Sequence, residues 1–262
     1  MNTTESRTDL MNSLLKEALY KKNQTLPAII DDYIRLLTET DDVHLVQHAN
    51  ILKLFNKNYV TDINFIDYMR DTLFSQLYDF LLNHHDFLFE LIGRRKSFLK
   101  TELKIREYTK TDMNNIPNDF FAYRIILYGA TYDDVYSVGK QLKDFCIIHG
   151  FVLQNTKDYI LHQKSNGYRA LHLIFQSLEG RTFEVQIKLS KDHLNTEYGA
   201  EQNHEEHDKR KYKTDLDIDL TLVYLKHGIF TPYKKNDGTY IFHDIAGFNS
   251  SLNILARRQN FY

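Results

Sequence analysis

An α+β fold, with a small mixed β-sheet flanked by helices and preceded by a helical region, is predicted by three observations. Apolar residues recur at spacings of three and four through the first ninety or so positions, the period of an amphipathic helix. After Pro117 the period shortens to two, and β-branched and aromatic residues accumulate from Phe120 to Tyr128. The later runs then follow as strand, helix, strands, helix, an order that suits a small mixed sheet better than a doubly wound one.

Taken in order, Leu10, Leu14, Leu15, Ala18 and Leu19 mark a first helix, and Leu45, Ala49, Leu52 and Phe55 a later one. Thr25 ahead of Leu26-Pro27 reads as a helix start with proline at an early position. Asp41-Asp42 before Val43 reads as another, because a carboxylate there accepts from orphan amides. A long helix is expected from about Phe65 towards Tyr108, broken near Asn83-His84-His85. The amphipathic stretch from Tyr132 to Ile148 stops at Gly150, a helix-ending residue. Strands are expected from Phe151 to Gln154, from Ala170 to Gln176 and from Arg181 to Leu189, the last two joined as a hairpin by Ser177-Leu-Glu-Gly180. A polar helix follows from Lys191 to about Lys213. Residues 216 to 231 read equally as helix or strand, and Tyr233 to His243, around Asn236-Asp237-Gly238, reads as a hairpin. The domain expectation is a helical region at 1–90, a core at 91–213 and an extension at 214–262.

With 42% hydrophobic and 13% aromatic residues the chain is too apolar for a disordered protein. A net charge of -2 excludes the global footprint of a general nucleic-acid binder and shifts attention to local charge. The single cysteine, Cys146, lies in the apolar run FCII, which excludes a disulfide framework and fits a buried thiol in a reducing compartment. The N-terminal MNTTESRTDL has no basic segment leading into an apolar run, and nothing approaches the roughly 20 apolar residues of a membrane span. A cytoplasmic, membrane-free protein is therefore expected. Neither a fixed-period repeat nor a Gly/Ser linker marks a boundary.

Chemistry concentrates in the stretch from Lys157 to His172, KDYILHQKSNGYRALH. Gly167 permits a tight turn, Tyr168 offers a flat face to a base, and Lys164 and His172 are of a kind that meets phosphate oxygens. Alone, this is equally a polar hairpin with a core tyrosine. Next comes Phe183-Glu-Val-Gln-Ile-Lys188, where the period of two puts Glu184 and Gln186 on one face. Asp119 precedes the first strand, a position suited to holding Mg²⁺, and Arg124 stands inside that strand, where a cation is costly unless paired. A basic segment, Gly93 to Tyr108, is read as one helix on which Lys96, Lys100 and Lys104 form a row, as a polyphosphate would require and as a solvated face would also allow. His204 and His207 stand three apart, without a third well-spaced ligand for zinc.

In order and residue type these segments resemble the RelA/SpoT alarmone synthetases. The loop is similar to the family's K-D-Y-I-x-x-P-K-x-N-G-Y-x-S-L-H, departing at Gln163 for proline and Ala170 for serine. Phe183 to Lys188 resembles V-E-V-Q-I-R, and Asp119 with Arg124 resembles D-x-x-x-x-R. Arg94, Lys96 and Lys104 fall on R-x-K-x-x-x-S-x-x-x-K, with Lys100 in the place of serine. Glu197, Gly199 and His204 keep register with the family's next helix, and His193 stands where the family places a polar residue near the acceptor.

The resemblance implies a nucleotidyltransferase-like synthetase core that moves pyrophosphate from ATP to the ribose 3′-hydroxyl of GDP or GTP, making (p)ppGpp. It implies Asp119 and Glu184 as catalytic residues and Mg²⁺ ligands, and Arg94, Lys96, Lys100, Lys104 and Arg124 around ATP. Lys164, Gly167, Tyr168, His172, Gln186 and His193 fall to the acceptor. Two alternatives stay open: a toxin that modifies the 3′ CCA end of tRNA and is held by an antitoxin protein, and a catalytically silent nucleotide- or partner-binding module. A second copy of the chain is a further partner to consider. His84-His85-Asp86 is superficially similar to a metal-binding His-Asp pair, but the segment before the core is short for the family's hydrolase domain, so no alarmone hydrolysis is expected.

Overall fold

Strand pairing organises the part of the chain that carries most of these motifs. The computed structural model describes residues 7–20, 25–84, 87–96, 98–110, 116–198, 230–234 and 240–244. Strands β1 (Leu88–Arg95), β2 (Phe121–Tyr128), β3 (Phe151–Asp158), β4 (Leu171–Ser177) and β5 (Thr182–Leu189) form one sheet in the order β1-β2-β5-β4-β3. β2 and β5 run parallel and the other neighbours antiparallel, so the sheet is mixed, as expected. The β4–β5 hairpin turns at Gly180, whose φ of 82° is open to glycine at little cost.

The period of two separates the faces. Phe183, Val185, Ile187, Leu171, Leu173 and Tyr123 are buried on one face. Helix α7 (Tyr132–Ile148) packs on β3, β4 and β5 through Val135, Val138 and Leu142. Gly139 allows a close approach there, since a Cβ at that position would lie 2.6 Å from Leu171 Cδ2. Thr131 closes a reciprocal capping box with Asp134 at the start of α7, and Cys146 is fully buried near its end. The opposite face carries polar groups: Arg94, Ala122, Glu184 and Ile174 form one cross-strand row, and Ile92, Arg124, Gln186 and His172 the next. β5 is the central strand and all eight of its residues are buried.

The expected long helix from Phe65 to Tyr108 is corrected. Helix α4 (Ile63–Asp67) and a stretch of π turns lead into α5 (Phe74–His84), the chain then extends as β1, and only at α6 (Phe98–Lys110) is it helical again. Phe87 to Ile92 is apolar enough for either state, and antiparallel pairing with β2 decides for the strand. Arg94 is therefore a strand residue and Lys96 follows that strand, so the row of three lysines on one helix face does not exist. Lys100 and Lys104 alone belong to α6, and the side chain of Lys100 lies outside the described residues.

The described chain divides into two compact units. The sheet, α5, α7 and α8 (Ser190–Tyr198) belong to one. Helices α1 (Arg7–Tyr20), α2 (Leu26–Thr38), α3 (Val43–Phe55) and α6 belong to the other. The early helix starts are as read: Pro27 sits in the first turn of α2, and Asp42 accepts from the His44 and Leu45 amides at the start of α3. Of the expected polar helix, residues 199–213 lie outside the described residues, as do Gly199, His204 and His207 and the side chain of Glu197. β6 (Phe230–Lys234) and β7 (Tyr240–Asp244) pair antiparallel, as the hairpin reading requires, while Asn236-Asp237-Gly238 lies outside the described residues. Among the described residues no helix is long and apolar enough to cross a membrane.

The helical unit is centred on a buried carboxylate. Glu102, 0% exposed on α6, accepts from Tyr33 Oη at 3.1 Å, contacts His48 Nε2 at 3.1 Å and is paired with Arg106 one turn on. Arg106 also donates to Asn12 Oδ1 at 2.6 Å. Burial acts to raise the Glu102 pKa, but Arg106 and His48 outweigh it and hold it below the ordinary 4.5. Glu102 thus stabilises the fold above about pH 4.5, and that contribution is lost as pH falls through its depressed value. Glu102→Ala leaves the Arg106 guanidinium buried without its carboxylate and should cost about 3–5 kcal/mol. Urea unfolding followed by circular dichroism checks this, with the paired Glu102→Leu, Arg106→Leu variant expected to lose less.

Candidate active site

Glu184 lies in the middle of the central strand, 5% exposed, with both carboxylate oxygens engaged. Oε1 is 2.8 Å from His172 Nδ1 on β4, and Oε2 accepts from Gln186 Nε2 at 2.8 Å. Burial pushes its pKa up, the nearby Asp119 charge adds to that, and the hydrogen bonds and charge of His172 with the Gln186 amide overcome both, bringing it down to about 2. Glu184 is therefore ionised at neutral pH. Burial holds the His172 pKa below its ordinary value despite Glu184, with Lys164 and Lys157 pushing the same way. The ionised carboxylate can only accept, so His172 donates to it from Nδ1.

Asp119 stands just before β2 and is paired with Lys96 at 2.8 Å, both side chains largely shielded. The Lys96 amide also donates to Phe120 O at 2.7 Å, which fixes the chain where it leaves β1. Across the sheet, Arg124 Nε donates to Gln186 Oε1 at 3.4 Å. Desolvation, reinforced by the Arg124 charge, pulls the Arg94 pKa down, and Asp119 and Glu184 oppose it. Two guanidinium groups and two carboxylates thus share one electrostatic neighbourhood on the polar face.

The loop between β3 and β4 borders this face. Asp158 at its start accepts from the Ile160 and Leu161 amides at 2.9 and 3.0 Å and from Tyr136 Oη of α7 at 3.0 Å, so a helix residue shapes the loop's entry. Gly167 has a φ of 75°, as a left-handed turn needs. Gln163 Nε2 donates to Gly167 O at 3.0 Å, and Arg169 donates to Gln163 Oε1 at 3.1 Å. Tyr168 is half-buried: its hydroxyl is 2.7 Å from His172 Nε2, and Lys164 and Lys188 Nζ lie 5.0 and 4.6 Å from its ring centre. Burial pushes the Tyr168 pKa up, so the phenol stays protonated.

The sheet unit accordingly brings together Arg94, Lys96, Asp119, Arg124, Lys164, Gly167, Tyr168, His172, Glu184 and Gln186. His193 lies on α8, which packs on β2 and β5. Lys104 belongs to the helical unit, its Nζ 5.9 Å from the Tyr108 ring centre. Sequence reasoning passed over Lys188, 1% exposed beneath Tyr168, although its place two residues beyond Gln186 on the same strand face signals it. It also passed over Asp158 and the Gln163 clip; an aspartate followed by a turn is the visible signal for the first.

Asp119 and Glu184 offer hard oxygen donors close enough for their charges to interact, the chemistry Mg²⁺ takes when phosphates complete its shell. Among the described residues no cluster of three or more metal-ligating side chains occurs, so an all-protein metal cage is not present there.

Residues 93–215 match the family model described as the region found in RelA/SpoT proteins. The probable GTP diphosphokinase RSH2, chloroplastic, of Oryza sativa subsp. japonica is 35% identical over 132 residues, 49% of this chain and 16% of that protein. RSH3 of the same plant is 51% identical over 43 residues, 16% of this chain and 6% of its own length. The chain thus spans under a fifth of the length of these relatives. Small alarmone synthetase 1 from Bacillus subtilis bound to its product pppGpp aligns in structure with a TM-score of 0.42 at 20% identity, covering 65% of this chain and 87% of that one. The stretch that supplies Arg94, Asp119, Arg124, Tyr168, His172, Glu184 and Gln186 is, over residues 93–215, similar to the region found in RelA/SpoT proteins.

Proposed function

We propose that this region, within a core at 91–213, transfers pyrophosphate from ATP to the ribose 3′-hydroxyl of GDP or GTP. The observation that carries the reading is the juxtaposition of Arg94, Arg124, Asp119 and Glu184 on one shielded sheet face bordered by the Tyr168 loop. Paired arginines whose charges disfavour one another suit a polyphosphate, which would neutralise both. Arg94, Arg124 and Lys96 hold ATP in this reading. Tyr168 stacks on the acceptor base, Lys164 meets the acceptor's phosphates, and Gly167, His172, Gln186 and His193 complete that side.

In the transfer, the 3′-oxygen forms a bond to the β-phosphorus, the bond from that phosphorus to the α–β bridging oxygen breaks, and AMP leaves. Such a transfer depends on in-line positioning and charge neutralisation more than on covalent help from the protein. Asp119 and Glu184 would hold Mg²⁺, which supplies neutralising charge to the triphosphate. Glu184, ionised and oriented by two hydrogen bonds, receives the proton of the 3′-hydroxyl.

Incubation of the purified protein with ATP labelled in its terminal phosphates and GDP, GTP, ATP or deacylated tRNA tests the reading. Label should appear in GDP or GTP. Label in tRNA alone would replace the acceptor with the 3′ CCA end, and no labelled product with any acceptor would leave a binding module. Glu184→Gln should lower kcat by about a thousandfold or more, and full activity in that variant would overturn its assignment. Tyr168→Ala should raise the acceptor KM by about tenfold or more, as expected for the loss of a base-stacking platform. Initial-rate kinetics over acceptor concentration measures it.

A further inference from the structure

The hydrogen bonds around His172 run as one chain from the acceptor loop to the donor side. The Tyr168 hydroxyl meets His172 Nε2 at 2.7 Å, and His172 Nδ1 meets Glu184 Oε1 at 2.8 Å. Glu184 Oε2 takes Gln186 Nε2 at 2.8 Å, and Gln186 Oε1 takes Arg124 Nε at 3.4 Å. His172, Glu184 and Gln186 are each under a tenth exposed, so water competes little for these bonds.

Every proton arrangement that satisfies the chain puts a hydrogen on Nδ1. An ionised Glu184 accepts and cannot donate, so Nδ1 carries the hydrogen. Nε2 meets the Tyr168 hydroxyl, as acceptor from its O–H in the neutral ring or as donor to its oxygen in the imidazolium. Both ring nitrogens are thereby occupied within the protein, leaving neither for an acceptor phosphate in this arrangement. A histidine held between a working carboxylate and a second polar group sets the angle at which that carboxylate is presented, as outer-shell partners do for metal ligands.

We propose that His172 is a positioning residue that ties Tyr168 to Glu184, so that the Tyr168 hydroxyl governs turnover while the Tyr168 ring governs acceptor binding. This rests on the function proposed above. The consequence is a loop that reports to the carboxylate: an acceptor base stacked on the ring stands on the same residue that orients Glu184 through His172. The alternative role for His172, a direct ligand of acceptor phosphate, requires a donor aimed outward and loses affinity rather than turnover when removed.

Tyr168→Phe keeps the ring and deletes only the hydroxyl, and is the variant least able to disturb the fold. We expect kcat to fall about tenfold, as for loss of an outer-shell partner, with the acceptor KM within about twofold of the parent. His172→Asn, which offers an amide near the place of Nδ1, should retain more activity than His172→Ala. A raised acceptor KM at unchanged kcat in the His172 variants, or an unaltered kcat in Tyr168→Phe, would overturn the proposal.

A second readout does not need turnover: ¹⁵N spectra of the nucleotide-free protein labelled at histidine ring nitrogens, with His172 assigned by its absence in His172→Ala. Nδ1 should be protonated, and the Nε2 resonance should move in Tyr168→Phe. The groups facing the ring that can alter its titration are Glu184, Lys157, Lys164, Tyr159 and Tyr168. A neutral ring protonated at Nε2 alone, which leaves Nδ1 without a hydrogen for Glu184, would overturn the tie itself. Absence of transfer by the parent protein would instead overturn the proposed function and the kinetic half of this inference, with the spectrum deciding the tie separately.

Discussion

A carboxylate buried at the centre of a sheet is the constraint from which the rest of the sheet unit follows. Taking Glu184 out of water is costly unless hydrogen bonds and charge replace the lost solvation. The fold supplies them from three strands: His172 from β4, Gln186 from β5 itself, and Arg124 from β2 through Gln186. Because side chains alternate, His172 and Arg124 can share the face of Glu184 only if the register between strands is kept, and a one-residue slip would turn them to the apolar face. The apolar packing of Phe183, Val185 and Ile187 on the other face enforces that register. Core packing and site geometry are consequences of the same pairing.

Glu102 in the helical unit meets the same problem and resolves it differently. Its partners Tyr33, His48 and Arg106 are themselves buried, and Arg106 reaches on to Asn12, so the cluster ties three helices to α6. Glu102 and these partners all lie within helices. The Glu184 chain ends instead at Tyr168, beside the exposed segment from Leu161 to Gly167. The two carboxylates are therefore similar in burial and unlike in what they are connected to, and connection to an accessible loop is what separates a site from a structural brace.

Much of this was legible beforehand because it follows from local rules. The β4–β5 hairpin, α7 and the caps at Thr25 and Asp42 depend on turn chemistry and period, which a sequence displays directly. β1 was not legible, since Phe87 to Ile92 satisfies both periods and only its partner β2 decides between them. The same ambiguity puts Arg94 and Lys96 on a helix in the sequence reading, with Lys96 in a lysine row that the fold does not contain. Glu184 and Gln186 were placed on one face correctly, but their hydrogen-bond partners were not, because His172 meets Glu184 through a pairing set by tertiary register. Lys188 was within reach of the same period-two argument and was read only as part of a motif.

At Gln163 a side chain that can hydrogen-bond stands where the family pattern has a residue that stiffens the backbone. A proline at this position would act by narrowing the backbone ensemble, an effect of about 0.4–1 kcal/mol. Gln163 instead spans the turn, donating to Gly167 O at 3.0 Å and accepting from Arg169 at 3.1 Å, and Arg169 in turn reaches Tyr132 Oη on α7 at 3.1 Å. Exposed hydrogen bonds of this kind contribute about 1 kcal/mol or less each. The two devices are therefore of comparable size, and the exchange replaces a restriction on the backbone with side-chain bonds for which water competes. Asp158 and Tyr136 anchor the loop's entry without involving Gln163, and His172 holds Tyr168 from below. The tyrosine is thus positioned chiefly by its buried contacts, and the clip at Gln163 governs the order of the exposed turn around Gly167.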